Sequence, residues 1–230
     1  MVPSVITIDG PAGSGKSTLG KQVAERLGYI YFDTGVMYRA VTLVALQEGI
    51  DCNDSDALEA LALRTTIDVT APTTDDGRQY TVLANGKDVT WEIRAPDVDA
   101  HVSLVAKVPA VRQELIRQQR MIGDRKHVVM VGRDIGTIVM PEAPLKIYLD
   151  TSLEERARRR LVDLRSQGYE QSLQQVQTDI ARRDKLDQHV LFPAKDAVIL
   201  NTDTITPTDG VNQIIALVQN HLQVVEVESC

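Results

Sequence analysis

Val5-Ile6-Thr7-Ile8-Asp9-Gly10-Pro11-Ala12-Gly13-Ser14-Gly15-Lys16-Ser17-Thr18 is the stretch that decides the fold. Its first four residues are apolar or β-branched and predict a buried strand. Gly10 to Ser17 fits G-x-x-x-x-G-K-[ST]. From Lys16 onward Leu19, Val23, Ala24 and Leu27 recur at helical spacing, and Gly28 closes that helix as a C-cap. In a strand–loop–helix of this kind, glycines let backbone N–H groups turn inward around phosphate oxygens, and the helix start adds its own donors. Gly10, Pro11, Ala12, Gly13, Ser14 and Gly15 would form that cradle. Lys16 would reach the β/γ-phosphates of a nucleoside triphosphate, Ser17 would ligate Mg²⁺, and Thr18 would add a phosphate contact. Residue frequencies alone would produce the bare pattern in roughly one chain in a hundred of this length. Its place between a strand and a helix is what separates it from an ordinary glycine-rich turn.

Outward from this motif, Tyr29 to Phe32 reads as a second strand and Val36 to Glu48 as a second helix, a rhythm that argues for a parallel sheet covered by helices. The rhythm then breaks. A short helix over Asp56 to Leu63 precedes strand candidates Thr66 to Val69 and Tyr80 to Leu83, and Asn85-Gly86 is a strong hairpin signal. This predicts a small antiparallel insertion near 65–90. Helices are predicted over Pro96 to Ala106 and Pro109 to Ile122, with Pro109 suited to a first turn. The core resumes with strands at Val128 to Val131, Leu145 to Leu149 and Ala197 to Leu200. Helices Leu153 to Arg165, Leu173 to Leu186 and Val211 to Leu222 complete the chain. The expectation is an α/β fold with five core strands.

The charge balance is acidic, 25 basic against 32 acidic residues for a net −7. That argues against a protein that coats nucleic acid, although a local arginine cluster can still invert the field inside a cleft. The two cysteines, Cys52 and Cys230, are too few for a disulfide scaffold or a cysteine zinc site and fit a reducing, cytoplasmic setting. No apolar run approaches the ~20 residues of a membrane span, and no signal peptide is expected. The absence of a large apolar stripe predicts a monomer. No N-K-x-D guanine motif occurs, and Asp150 at a strand end is followed by Thr151 rather than a second acid. Arginines at the ends of elements suit an acceptor that is itself a phosphate.

These residues resemble the bacterial-type cytidylate (CMP) kinases, P-loop nucleoside monophosphate kinases. The resemblance rests on Ile6 to Pro11 running into the P-loop, Asp33-Thr34-Gly35-Val36-Met37-Tyr38-Arg39, Val102-Ser103 with Val111-Arg112, Gly132-Arg133-Asp134-Ile135-Gly136-Thr137, Leu145 to Asp150, and Ser152 to Ala157. It implies a P-loop NTPase fold with a five-stranded parallel sheet, a β-bearing acceptor domain and a helical lid. The implied boundaries are 1–40, 123–152 and 188–230 for the core, 41–122 for the acceptor domain and 153–187 for the lid. It implies ATP with Mg²⁺ as donor and CMP or dCMP as acceptor. Thr34, Tyr38, Arg39 and Arg133 would hold the acceptor phosphate, Ser103, Arg112 and Asp134 the cytosine, and Asp187 the ribose. Lys16 and Arg133, with Arg156, Arg160 and Arg183 of the lid, would neutralise the transferring phosphate. The chemistry agrees with the base assignment: an Asp accepting from the exocyclic amine, with Arg and Ser donating to the neighbouring acceptors, separates cytosine from uracil.

The chain departs from the family pattern at two places. Val131 stands where an acid usually precedes Gly-Arg-Asp, leaving Asp9 to cover part of a role near the metal or its waters. After Arg183-Asp184-Lys185-Leu186-Asp187 the segment Gln188-His189-Val190-Leu191-Phe192-Pro193 lacks the expected arginine and runs about four residues short. His189 and Lys195 are the candidates to replace that arginine, and an arginine at position 190 is expected to restore it. Two other readings stay open at this point: a P-loop kinase for UMP, AMP or a metabolite, and a nucleotide-binding regulatory protein without transfer. Solvent-facing roles for Arg39, Arg112 and Ser103, a structural ion pair for Arg133 and Asp134, and helix caps for Asp33 and Asp150 are the simpler local alternatives.

Overall fold

A computed structural model describes residues 3–166 and 168–227. Five strands form one parallel sheet in the order β2 (Ile30–Asp33), β6 (Val128–Gly132), β1 (Val5–Asp9), β7 (Leu145–Asp150) and β8 (Val198–Asn201). The pairing of β1 with β7 sets Ile6 opposite Leu145 and Asp9 opposite Tyr148. β1 is buried along its whole length, as expected of a central parallel strand covered on both faces. The P-loop therefore leaves the carboxyl end of an inner strand, where open α/β sheets bind their ligands.

The chain divides into two compact units, residues 1–28 with 129–230 and residues 29–128. In the first, α1 (Lys16–Leu27) buries Leu19, Val23 and Ala24 and ends at Gly28, whose left-handed conformation returns its N–H to Ala24 and Glu25. The last helix, α8 (Pro207–Val227), begins several residues before its expected start at Val211. Helices α6 (Leu153–Ser166) and α7 (Leu173–Asp187) form a hairpin around a small core of Ala157, Leu161, Leu164, Val176 and Ile180. A capping box starts α7: Ser172 Oγ accepts from Gln175 N, and Gln175 Oε1 accepts from Ser172 N.

The second unit contains α2 (Gly35–Gln47), α3 (Ser55–Arg64), α4 (Pro96–Val105) and α5 (Pro109–Gly123). It also holds an antiparallel sheet of β3 (Ile67–Thr70), β4 (Thr81–Ala84) and β5 (Lys87–Asp88). Asn85 and Gly86, both at positive φ, make the β4–β5 turn that their dipeptide predicts. Gln118 of α5 fixes β3 with a buried side-chain amide, accepting from Ile67 N and donating to Thr65 O and Glu114. Arg78 ties the loop before β4 together through Asp76 and Asp88, and Trp91 Nε1 donates to Asp76 at 2.8 Å. Trp91 is thus a half-exposed clamp on this loop, stacked under Arg94 at 4.8 Å.

Candidate active site

The loop Gly10–Ser17 has the geometry its sequence calls for. Gly10, Gly13 and Gly15 all lie at positive φ. At Gly10 the need is steric as well, since a Cβ there would sit 2.6 Å from the Leu149 carbonyl oxygen. Helix α1 starts at Lys16 with no acidic residue in its first turn, so its N-terminal N–H groups keep their pull on an anion. Lys16 Nζ donates to Pro11 O at 2.6 Å, spanning the loop. Ser17 and Thr18 are exposed, whereas Ser14 is fully buried and its Oγ has no partner. A loop with three glycines at positive φ, a helix start behind it and an exposed hydroxyl at position 17 fits a polyphosphate accompanied by a hard cation.

Arg156, only 6% exposed, braces this loop. Its Nε donates to Thr151 O at 3.1 Å and its Nη1 to Ala12 O at 3.2 Å, while its Nη2 pairs with Asp184 at 2.7 Å. Arg159 lies nearby: a Cβ on Gly15 would be 3.8 Å from its Nη1. Arg159 also bonds Glu155, the Thr202 hydroxyl and the Thr202 carbonyl. The Thr202 hydroxyl in turn meets Thr151 Oγ1 at 2.7 Å and Ser14 O at 3.3 Å. Arg158 and Arg159 share Glu155, and the Arg158 hydrogen bond leads in holding its carboxyl down at about 2. Arg160 and Arg183 are exposed on α6 and α7.

Between β6 and β7 the chain makes one wide π-type turn, Ile135–Val139, with Val139 N reaching back to Asp134 O and Met140 N to Ile135 O. Arg133 and Asp134 immediately precede it. Arg133 Nε lies 2.8 Å from Asp187 Oδ2, an ion pair whose angle is too poor for a hydrogen bond. Asp134 is buried. Asp9, 5% exposed, accepts from Ile135 N at 2.9 Å and Gly136 N at 2.7 Å. Burial pushes its carboxyl up to about 6; the two amides and Lys16 pull it down, and neighbouring Asp134 adds to the rise. Both Asp9 oxygens thus serve the backbone of the turn, and Val131 is buried within β6.

The unit formed by residues 29–128 carries the other predicted residues. Thr34 stands at the start of α2 and is buried. Asp33 Oδ1 accepts from Gly35 N at 3.0 Å, a local cap. Arg39 Nη1 donates to Ile93 O at 3.1 Å and pairs with Asp99 at 2.5 Å. Arg112 lies over the Tyr38 ring at 5.9 Å. Ser103 is exposed on α4. Buried Tyr80 lies within electrostatic reach of Asp33, Arg94 and Arg39, with Arg94 also hydrogen bonded to it.

Arg159, Asp184, Thr202 and Arg94 are the residues that sequence reasoning left without a defined part here, and Asp9, given a share of a role near the metal or its waters, was not expected to bond Ile135 N and Gly136 N. Arg159 had a signal, its i,i+3 spacing from Arg156 on one helix face. Thr202 and Asp184 had none, because their partners lie far away in the chain. At the shortened segment, Val190 is buried and its N–H bonds Asp187 O, while His189 and Lys195 are exposed. The expectation of an arginine at position 190 is therefore withdrawn: it would force a guanidinium into a buried position.

A family model described as cytidylate kinase matches residues 6–220. A curated cytidylate kinase of Chloroflexus aggregans is 58% identical over 93% of this chain and 93% of its own length. Those of Roseiflexus castenholzii and Herpetosiphon aurantiacus are 55% and 52% identical, covering 94% of this chain and 92% and 94% of their own. Among solved structures, a shikimate kinase from Bacteroides thetaiotaomicron superposes with a TM-score of 0.50 at 12% identity, covering 94% of this chain and 98% of that one. That last likeness concerns the fold alone. The agreement of P-loop, sheet order and nearly full-length sequence identity places this chain in the cytidylate kinase family.

Proposed function

We propose that the protein transfers the γ-phosphoryl group of ATP, with Mg²⁺, to CMP or dCMP, giving ADP and CDP or dCDP. The observation that carries this reading is a P-loop with its glycines, lysine and serine in place, in a chain more than half identical to curated cytidylate kinases. The loop amides and α1 hold the donor's phosphates. Lys16 leaves Pro11 O for the β/γ-phosphate oxygens. Ser17 is the protein's ligand for Mg²⁺, which supplies charge neutralisation on those oxygens when bound. Arg156 acts from its place on the loop, while Arg160 and Arg183 reach the transferring group from the lid.

On the acceptor side, Thr34, Tyr38, Arg39 and Arg133 bind the monophosphate, and Ser103, Arg112 and Asp134 read the cytosine. Asp187 takes the ribose hydroxyls. Arg39 and Arg133 each sit beside a carboxylate, Asp99 and Asp187 respectively. An incoming phosphate thus exchanges partners with preformed charge instead of ordering loose side chains. No general base is needed, because the acceptor's phosphate oxygen is already anionic. Residues 153–187 act as a lid that excludes water and suppresses ATP hydrolysis. Residues 41–122 form the acceptor domain, and the rest the core. The protein works in the cytoplasm as a monomer.

The test is ADP formation with ATP and Mg²⁺ and one acceptor at a time, CMP, dCMP, UMP, AMP or GMP, with the diphosphate product identified directly. Preference for CMP or dCMP is expected. Preference for UMP, AMP or GMP would move the acceptor assignment. Absence of transfer to all five, with ATP still bound, would replace this reading with that of a nucleotide-binding protein.

A further inference from the structure

Asp9 has no part in binding either nucleotide in the reading above, yet its buried carboxylate lies within electrostatic reach of Lys16 on the donor side and of Asp134 on the acceptor side. Its backbone ends β1 and leads directly into Gly10 of the P-loop. Its carboxylate accepts from Ile135 N and Gly136 N, the two amides that follow Arg133 and Asp134. One side chain therefore joins the root of the donor loop to the turn that presents two acceptor residues, across more than a hundred positions of chain. The packing leaves little room for this turn to move. A Cβ on Gly136 would come 2.9 Å from Thr7 Oγ1, 3.3 Å from Asp9 Oδ2 and 3.3 Å from Lys146 Cδ. A buried ionised carboxylate is costly unless its hydrogen bonds are made, and here both oxygens are aimed at the π turn.

We propose that Asp9 is a positioning residue that fixes Arg133 and Asp134 relative to the P-loop, acting through the amides of Ile135 and Gly136. The inference rests on the assignment of Arg133 and Asp134 to the acceptor. An amide at position 9 offers one acceptor atom where the turn needs two, and sets N–H₂ against a backbone N–H. The turn would rotate away and carry Arg133 and Asp134 out of reach of the acceptor. The P-loop amides and α1 are left as they are.

Asp9→Asn is the first variant. It is expected to raise the KM for CMP at least tenfold and to narrow the CMP-over-UMP preference. The Kd for a non-hydrolysable ATP analogue should change by less than about threefold. A general loosening of the fold would weaken donor and acceptor alike, so this split separates positioning from stability. Equal losses for ATP and CMP, or no loss for either, would overturn the proposal. Gly136→Ala presses on the same carboxylate from the other side and should reproduce the CMP-selective defect. It decides the matter if circular dichroism shows Asp9→Asn to be unfolded. Wild-type protein without CMP-dependent turnover would instead overturn the kinase reading itself.

A pH profile supplies a second readout. The groups facing Asp9 are Lys16 of α1, Asp134 of the turn, Tyr148 of β7 and, behind Gly136, Lys146 of β7. Protonation of Asp9 removes one acceptor, so wild-type kcat/KM for CMP should fall below about pH 6. The acceptor's own phosphate also titrates near 6, so the quantity to read is the ratio of wild type to Asp9→Asn, in which that shared titration cancels. The ratio should fall as the pH is lowered from 7 to 5. A ratio that stays flat would count against the proposal.

Discussion

Lys16 and Asp134 put the donor and acceptor chemistry to the simplest tests. Lys16→Ala removes the charge proposed to bridge the phosphates and is expected to cut turnover by at least a thousandfold, measured as CMP-dependent ADP release. Asp134→Ala should weaken CMP by roughly 2 kcal/mol more than UMP, because only cytosine offers an amine to that carboxylate. Steady-state constants for the two acceptors give the difference directly. Lys16 and Asp134 could be singled out in the sequence because the roles proposed for them depend on a local pattern, a glycine loop in one case and Gly-Arg-Asp in the other. Asp9 was read only as an acid that covers part of a role near the metal or its waters. What it does depends on two amides that arrive from residues 135 and 136, and no local spacing announces such a contact.

The helical hairpin α6–α7 shows what periodicity reveals and what it hides. Its extent was legible within a residue or two, because Leu153, Ala157, Leu161 and Leu164 recur at helical spacing. Which arginines face inward was less so: Arg159 shares a face with Arg156, but four of five consecutive positions from Arg156 to Arg160 are arginine and any face of the helix carries one. Packing selects Arg156 and Arg159 for the P-loop and Thr202, and leaves Arg160 to solvent. Asp184→Ala should expose how much this hairpin supports the loop. It strands the buried Arg156 guanidinium with two carbonyls and no counter-charge, at a cost of about 2–3 kcal/mol. Denaturant unfolding measures that cost, and a parallel rise in the Kd for ATP is expected because Ala12 loses part of its brace. Val190→Arg is expected to destabilise the protein by a similar amount and to leave the KM for CMP no better than wild type.

At the level of the molecule, two carboxylates give stability opposite pH dependences. Burial raises the Asp9 carboxyl to about 6, so the folded chain holds that proton more tightly than the unfolded one. The stability this adds is full below the unfolded value near 3.8 and is lost as the pH rises through 6. Glu155, held at about 2 mainly by its Arg158 hydrogen bond, adds stability that is full above 4.5 and is lost as the pH falls through 2. Of these two carboxylates only Asp9 changes between pH 7 and 5, and wild type should gain about 1 kcal/mol over Asp9→Asn. Melting curves of the two proteins across that window test the sign. The five strands and the antiparallel insertion were legible from β-branched runs and the Asn85-Gly86 turn. Their order in the sheet was not, because β6 lies beside β1 although more than a hundred residues separate them in the chain.

Thr202 carries a consequence for the newly made chain. The P-loop is synthesised before the residues that brace it, and its Ser14 carbonyl is met by a hydroxyl 188 positions later. Its central strand also pairs with β7, and its crest is braced by Arg156. The loop therefore matures late: a nascent chain that stops short of β7 carries the whole glycine–lysine motif without these distant contacts to hold it in shape. Until β8 and the turn after it have been synthesised, such a fragment has little means of capturing ATP, and a stalled or truncated product is not expected to sequester it.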